Sequence, residues 1–293
     1  MTTNTLISPQ ALADQLGSRD LLVIDCRFDL ADSARGARDF AAARIPNAAY
    51  ADLNRDLCDL DKKGVGRHPL PESATFSQTL SRWGWTPQTR VVAYDDAGGA
   101  LAAARLWWML RLVGARDAAV LDGGLKAWRE AGLALDSLAP AATASRAITT
   151  SVDIAFDAAQ IVYTEQLQEI RARILLVDAR AAPRFRGENE TIDPVAGHIP
   201  GARNRPFAEN LQPDGRFKSP AALRDEFASL LGDTDSANVV HSCGSGVTAC
   251  HNLLAMEHAG LAGSRIYAPS WSGWISDRAR PIATGTEQSS GEG

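Results

Sequence analysis

LLVIDCRFD at 21–29 returns as ILLVDARAA at 174–182, an apolar, β-branched run that ends both times in Asp-x-Arg. Working outward, RIPNA at 44–48 is answered by HIPGA at 198–202, RVVAYDDAGGALAAARLWW at 90–108 by NVVHSCGSGVTACHNLL at 238–254, and LDGGLKAW at 121–128 by APSWSGW at 268–274. Order and spacing are kept, with only loop-length drift, so the chain is one unit written twice. In each copy, short apolar runs alternate with helical patterns. VVAYD, AAVLD, NVVHSC and RIYAP are too short for independent helices and read as buried strands of a parallel sheet. LAAARLWWMLRLVG and TACHNLLAMEHAG space their apolar residues three and four apart and read as helices. Ser219 before Pro220 gives an N-cap with proline in the first turn, and Gly232 ends that helix.

The expected fold class is therefore α/β, two domains in tandem, each a mainly parallel sheet covered by helices. DSLAPAATASRAITTSVDIAFD, 136–157, is small, polar and punctuated by proline, as a connection should be. The expected division is a first domain over 1–140, a linker over 141–157, a second domain over 158–285 and a disordered tail over 286–293, where nothing apolar is left to bury.

The chain has 293 residues, 45% hydrophobic and 22% charged, which suits two ordinary globular domains. With 30 Lys and Arg against 35 Asp and Glu, the net charge of −5 and the lack of a dense basic stretch argue against nucleic acid as a partner. No apolar run approaches the roughly 20 residues that span a bilayer, and MTTNTLISPQ lacks the basic and apolar regions of an export signal. A cytoplasmic protein with no membrane partner is expected. Cys26, Cys58, Cys243 and Cys250 show neither CxxC nor Cys/His ligand spacing, so they read as reduced thiols. His68, His198, His241, His251 and His258 show no metal spacing either, and neither a metal nor an organic cofactor is expected.

Cys243 stands where a strand gives way to a helix expected from near Val247, with Gly244 and Gly246 permitting a tight loop. Successive N–H groups of such a loop form an anion nest, and the helix N-terminus adds its positive end. Helix N-termini can lower a cysteine pKa to about 3.5–7.5, which makes Cys243 a nucleophile at neutral pH. Buried, inert packing is the alternative for any free cysteine and is assigned to Cys26, Cys58 and Cys250. In the first copy the matching position falls on Asp96, in DDAGGA, so one active site per chain is expected. GSGVTA fits a loose dinucleotide pattern, but no acidic residue closes RIYAP. The loop has no cation to clamp a phosphate ester, and no G-x-S-x-G elbow supports a serine hydrolase around Ser245.

On these residues the chain resembles the tandem-domain sulfurtransferases of the rhodanese and 3-mercaptopyruvate sulfurtransferase group. CGSGVTA at 243–249, GHIPGA at 197–202 and SWSGW at 270–274 carry the likeness, which extends from Leu21 to Thr284. The resemblance implies that Cys243 takes a sulfur atom from a small-molecule donor, holds it as a persulfide and passes it to a small thiol, cyanide or a thioredoxin-like acceptor. It implies that Gly244, Gly246, Val247 and Thr248 cradle the donor, that Ser245 works with His68 in GRHPLP, and that Arg184 holds the donor's anionic end. Plainer readings are loop capping for Ser245 and Thr248, packing or surface for His68, and a salt bridge to Glu188 or Glu190 for Arg184. Where the family pattern has an acid behind the histidine this chain has Asn54, with Asp52, Asp59 and Asp61 nearby. A second carboxylate-binding arginine has no counterpart in NETIDPVAG, Arg203 and Arg205 read as surface charges, and His241 and Gly273, which replace Tyr and Glu of the pattern, are expected to alter the rim. Trp107, Trp108, Trp128, Trp271 and Trp274 read as core, with shaping of the cleft between the halves as the alternative.

The neutral loop favours 3-mercaptopyruvate, a monocarboxylate, over the dianion thiosulfate, leaving thiosulfate:cyanide transfer as the runner-up. A non-catalytic sulfur-carrying or redox-sensing module is the reading from a different class.

Overall fold

Leu21–Asp25 and Leu175–Asp178 are buried at every position, which is why both read as unbroken apolar runs: a parallel strand covered on both faces has no polar side to display. The computed structural model describes residues 5–115, 117–137 and 154–286. The expected linker lies outside the described residues up to 153, and so does the expected tail from 287. The chain divides into two units. One draws on Met1–Leu60, Leu70–Ala158 and Leu211–Lys218, the other on Asp61–Pro69, Ala159–Asn210 and Ser219–Gly293.

In the first unit, β1 (Leu6–Ile7), β2 (Leu21–Asp25), β3 (Ala49–Tyr50), β4 (Arg90–Tyr94) and β5 (Ala118–Leu121) form a sheet in the order β1-β5-β4-β2-β3. In the second, β6 (Ile161–Val162), β7 (Leu175–Asp178), β8 (Arg203–Asn204), β9 (Val239–Ser242) and β10 (Arg265–Tyr267) repeat it as β6-β10-β9-β7-β8. Every pairing in both sheets is parallel. Both units are thus the helix-covered parallel α/β layers expected. Among the described residues no helix is long and apolar enough to cross a membrane.

Burial of apolar side chains against each sheet supplies the main driving force. Val23, Val92, Leu121 and Trp128 belong to the first core; Leu176, Val240, Tyr267, Trp271 and Trp274 belong to the second. All five tryptophans singled out above are fully buried, so packing is their role. Helix Pro220–Leu231 starts as expected, with Ser219 Oγ accepting from Ala222 N–H, and Gly232 at its end has φ 55°.

β7 has β8 on one side and β9 on the other, so the chain leaves the carboxyl ends of β7 and β9 in opposite directions. Such a switch point opens a crevice where ligands bind. Cys243 is the residue that follows β9.

The same register corrects one correspondence. Asp25 pairs with Tyr94 and Asp178 with Ser242, while Asp95 O accepts from Leu125 N–H as Cys243 O accepts from Trp271 N–H. Asp95, not Asp96, is the first unit's equivalent of Cys243, because each is the residue directly after the paired strand and the extra length of the first loop falls only after it. The Asp95 carboxylate accepts N–H bonds from Ala97, Gly99, Leu101, Ala102 and Ala103. The loop that could cradle a ligand is closed on the protein's own anion. A cleft of about 370 Å³ beside it, lined among others by Arg27, Arg35, Asp96 and Lys126, contains no thiol.

Candidate active site

The turn after β9 is held from outside. Carbonyls of Cys243 and Gly244 accept N–H bonds from Trp271 and Ser272, each at 2.9 Å, in the first turn of helix Ser270–Trp274. Gly246, at φ 76°, adopts the left-handed conformation that glycine reaches without strain. Its N–H points back to Cys243 Sγ at 3.2 Å. Ser270 completes the clamp: its Oγ accepts the Cys243 N–H at 3.1 Å and lies 4.0 Å from Sγ. Helix Ala249–His258 then leads away, two residues later than expected, so its N-terminus faces the turn.

Segment Asp61–Pro69 packs with the second unit through glycine. A Cβ on Gly66 would lie 2.7 Å from Pro269 O, and one on Gly273 would lie 3.3 Å from Gly66 N. The Arg67 N–H donates to Ser272 Oγ at 2.9 Å. This close seating delivers His68, whose Nδ1 stands 2.8 Å from Ser245 Oγ; both residues are buried.

Around Gly244 three guanidiniums interlock with three carboxylates. Arg180 pairs with Asp178 along its Nε/Nη2 edge and approaches Glu190 at 3.6 Å. Arg184 places the same edge on Glu190 and adds an Nη2 bond to Asp193 Oδ2 at 3.0 Å. Asp193 Oδ1 accepts from Arg67 Nη1. A Cβ at Gly244 would sit 3.1 Å from Arg67 Nη2 and 3.7 Å from both Arg184 Nη2 and Asp193 Oδ2. Burial works against the Arg180 cation, but Asp178, Glu190 and Cys243 more than offset it and its pKa is raised. Burial likewise opposes the Glu190 anion, yet Arg184 and the N–H groups of Asp193 and Ile192 hold its pKa below the usual range.

Cys243, Gly244, Ser245, Gly246, Val247, Thr248, His68 and Arg184 therefore all belong to the second unit, and His68 meets Ser245 as expected. Thr248 flanks the helix but makes no side-chain cap. Arg184 makes the salt bridge to Glu190 that was the plainer reading, while Glu188 pairs with Arg186. Asp52 spends its carboxylate capping helix Leu53–Asp56, one bond coming from the Asn54 N–H. Arg205 is not a surface charge: it is 6% exposed, bonded to Glu226 and stacked over Phe227. His241 does not reach a rim but is wholly enclosed in β9. Arg67, Asp193 and Ser270 were missed. Only Arg67, adjacent to His68, carried a signal that could have found it. Cys26, Cys58 and Cys250 are buried free thiols, and burial pushes Cys58 up to about 11. Among the described residues no group of three or more His, Cys, Asp or Glu is placed to hold a metal.

A thiol facing the Gly246 N–H, a buried Ser-His pair and fixed cations can together accept an atom from an anionic donor and stabilise the leaving anion. Comparison with known proteins agrees. The rhodanese-like domain matches twice, over residues 8–131 and 163–277. The chain is 49% identical over 97% of its length to all of a probable 3-mercaptopyruvate sulfurtransferase of Pseudomonas aeruginosa. It is 36% identical over 96% of its length to a putative thiosulfate sulfurtransferase of Mycobacterium tuberculosis, of which 97% is covered. The solved 3-mercaptopyruvate sulfurtransferase from Leishmania major superposes with a TM-score of 0.82 at 33% identity, covering 93% of this chain and 74% of that one. Two rhodanese-like domains in tandem, matched nearly end to end by relatives of both donor types, place this chain in the rhodanese/3-mercaptopyruvate sulfurtransferase family, and it is a sulfurtransferase of that type.

Proposed function

We propose that the enzyme moves a sulfur atom from 3-mercaptopyruvate to a thiol or cyanide through a persulfide on Cys243. The observation that carries this is the Gly246 N–H directed at Cys243 Sγ at 3.2 Å, in a turn with no cation of its own. The Cys243 thiolate attacks the donor sulfur, the S–S bond forms as the donor's C–S bond breaks, and the electron pair leaves with carbon as pyruvate enolate. Ser245, in contact with His68, donates a hydrogen bond to the enolate oxygen, and protonation at carbon gives pyruvate. A nucleophilic acceptor then attacks the outer sulfur, and the Cys243 thiolate departs beneath the Gly246 N–H. Arg184, with its Nε/Nη2 edge already on Glu190, offers its remaining nitrogen to the donor carboxylate. On this reading the first domain is non-catalytic, and the reaction runs in the cytoplasm, where thiols stay reduced.

The pair of guanidiniums beside Gly244 favours thiosulfate as a second donor. Parallel kcat/KM values for the two donors with cyanide as acceptor decide between them, and the expected result is the larger value for 3-mercaptopyruvate. Mass spectrometry after donor addition should find one extra sulfur atom on Cys243, and Cys243→Ser should abolish turnover while keeping the wild-type melting temperature. An adduct on another cysteine would overturn the assignment.

A further inference from the structure

The acid that bridges the two guanidiniums beside the active turn does more than hold them in place. Asp193 is 8% exposed, its two oxygens divide between Arg67 and Arg184, and Oδ2 lies 3.7 Å from the Cβ position of Gly244, next to the nucleophile. Arg67, Arg180 and Arg184 against Asp178, Glu190 and Asp193 form a cluster with no net charge. Without Asp193 the same cluster would be a cationic socket.

We propose that Asp193 is the donor-selecting residue: its carboxylate, fixed between Arg67 and Arg184, lowers the cation field at the turn so that a monoanionic donor is accepted and a dianionic one is disfavoured. This rests on the assignment of an anionic sulfur donor to Cys243. The physical basis is the charge difference between 3-mercaptopyruvate, with one carboxylate, and thiosulfate, with two negative charges. Both meet the same two guanidiniums beside the turn, Arg67 and Arg184, but each negative charge is also repelled by Asp193, so the dianion loses more. At an effective dielectric near 20, one extra charge within about 5–6 Å of a carboxylate changes an equilibrium by on the order of 100-fold, and partial screening by the paired arginines brings the expected effect to about 10- to 100-fold. Arg67 opposes Asp193 from the other side, which makes the prediction reciprocal.

The test is the ratio of kcat/KM for thiosulfate to that for 3-mercaptopyruvate, measured on the full-length enzyme with cyanide as acceptor at fixed ionic strength. Asp193→Asn keeps the shape and removes the charge, and should raise this ratio about 10-fold or more. Arg67→Gln should move it the other way. A residue that only positions the loop would depress both donors together, leaving the ratio within about threefold; that outcome, or a shift in the same direction for both variants, overturns the inference. The wild-type ratio separately tests the donor assignment: a wild-type enzyme that prefers thiosulfate refutes that assignment, while opposite shifts in the two variants would still establish Asp193 as the selector.

Discussion

His68 Nδ1 and Ser245 Oγ stand 2.8 Å apart although 177 positions separate the residues, and both side chains are shut away from bulk water. A hydroxyl polarised by an imidazole in such surroundings can donate to a developing enolate without prior reorganisation of solvent. Ser245→Ala and His68→Asn should each lower the rate of pyruvate release from 3-mercaptopyruvate by about 100-fold. Because the two act as one unit, the double variant should be little worse than either single one. Single-turnover measurements of pyruvate release provide the check, and multiplying losses would show that the residues act separately.

Ser270 is one of two described non-glycine residues at positive φ, at 53°, and it is fully buried. The backbone bend brings its Oγ to the Cys243 N–H, which has no route to solvent. Ser270→Ala keeps the bend and strands that donor, at a cost of about 1–3 kcal/mol. Ser270→Gly relieves the backbone but strands the same N–H, so it should recover part of the stability and none of the positioning. Urea denaturation ranks wild type, Ser270→Gly and Ser270→Ala. Cys243 alkylation rates should rise in both variants as the turn loosens; equal rates in all three proteins would remove Ser270 from the clamp.

The repeat, both sheets and the strand–turn–helix carrying Cys243 were legible because they are written in local patterns: apolar runs of strand length, helical spacing and glycines at a turn. Residues joined by tertiary contact were not. Arg67 and Asp193 are 126 positions apart, and nothing in GRHPLP or NETIDPVAG indicates that they pair. Arg205 looks like a surface arginine in GARNRPF until Glu226 and Phe227, from helix Pro220–Leu231, close over it. The match to Asp96 was off by one because sequence alone does not say which residues pair across a sheet; the strand register places Asp95 directly after Tyr94, as Cys243 follows Ser242. That His68 meets Ser245 was expected from the resemblance, but the close approach of Gly66 to Pro269 and of Gly273 to Gly66 that seats its segment was hidden, since it depends on two glycines far apart in sequence.

Gly66 and Gly273 make that seating. A Cβ at Gly273 would meet Pro269 Cβ at 2.4 Å and the backbone of residues 65 and 66 at 3.3 Å, and the glutamate of the family pattern adds more atoms in the same space. Gly66, at φ 105°, tolerates no side chain without strain. Gly273→Ala should cost about 1–3 kcal/mol by overpacking. Its effect on catalysis should exceed its effect on folding, because the displaced segment carries His68. The measurement is kcat beside melting temperature: at least a 10-fold loss of kcat is expected in protein that remains folded at the assay temperature. Full kcat with a lowered melting temperature would mean that His68 is positioned by other contacts.

His241 makes the fold sensitive to acid. It is wholly enclosed in β9, neither ring nitrogen finds a hydrogen-bond partner, and burial with the Arg205 charge pushes its pKa down to about 3. The unfolded chain binds that proton near pH 6.5 and the native state does not, so between about pH 6.5 and 3 the unfolded state carries more protons and stability falls as pH falls. At 1.36 kcal/mol per unit, lowering the pH from 7 to 5 costs about 2 kcal/mol through this residue alone. Above pH 7 the histidine is neutral in both states and contributes no slope. His241→Phe, close in volume and with no proton to exchange, should remove this component: denaturation curves at pH 7 and 5 should converge by about 2 kcal/mol relative to wild type. An unchanged gap would mean that His241 is protonated in the native protein, which the adjacent Arg205 guanidinium opposes.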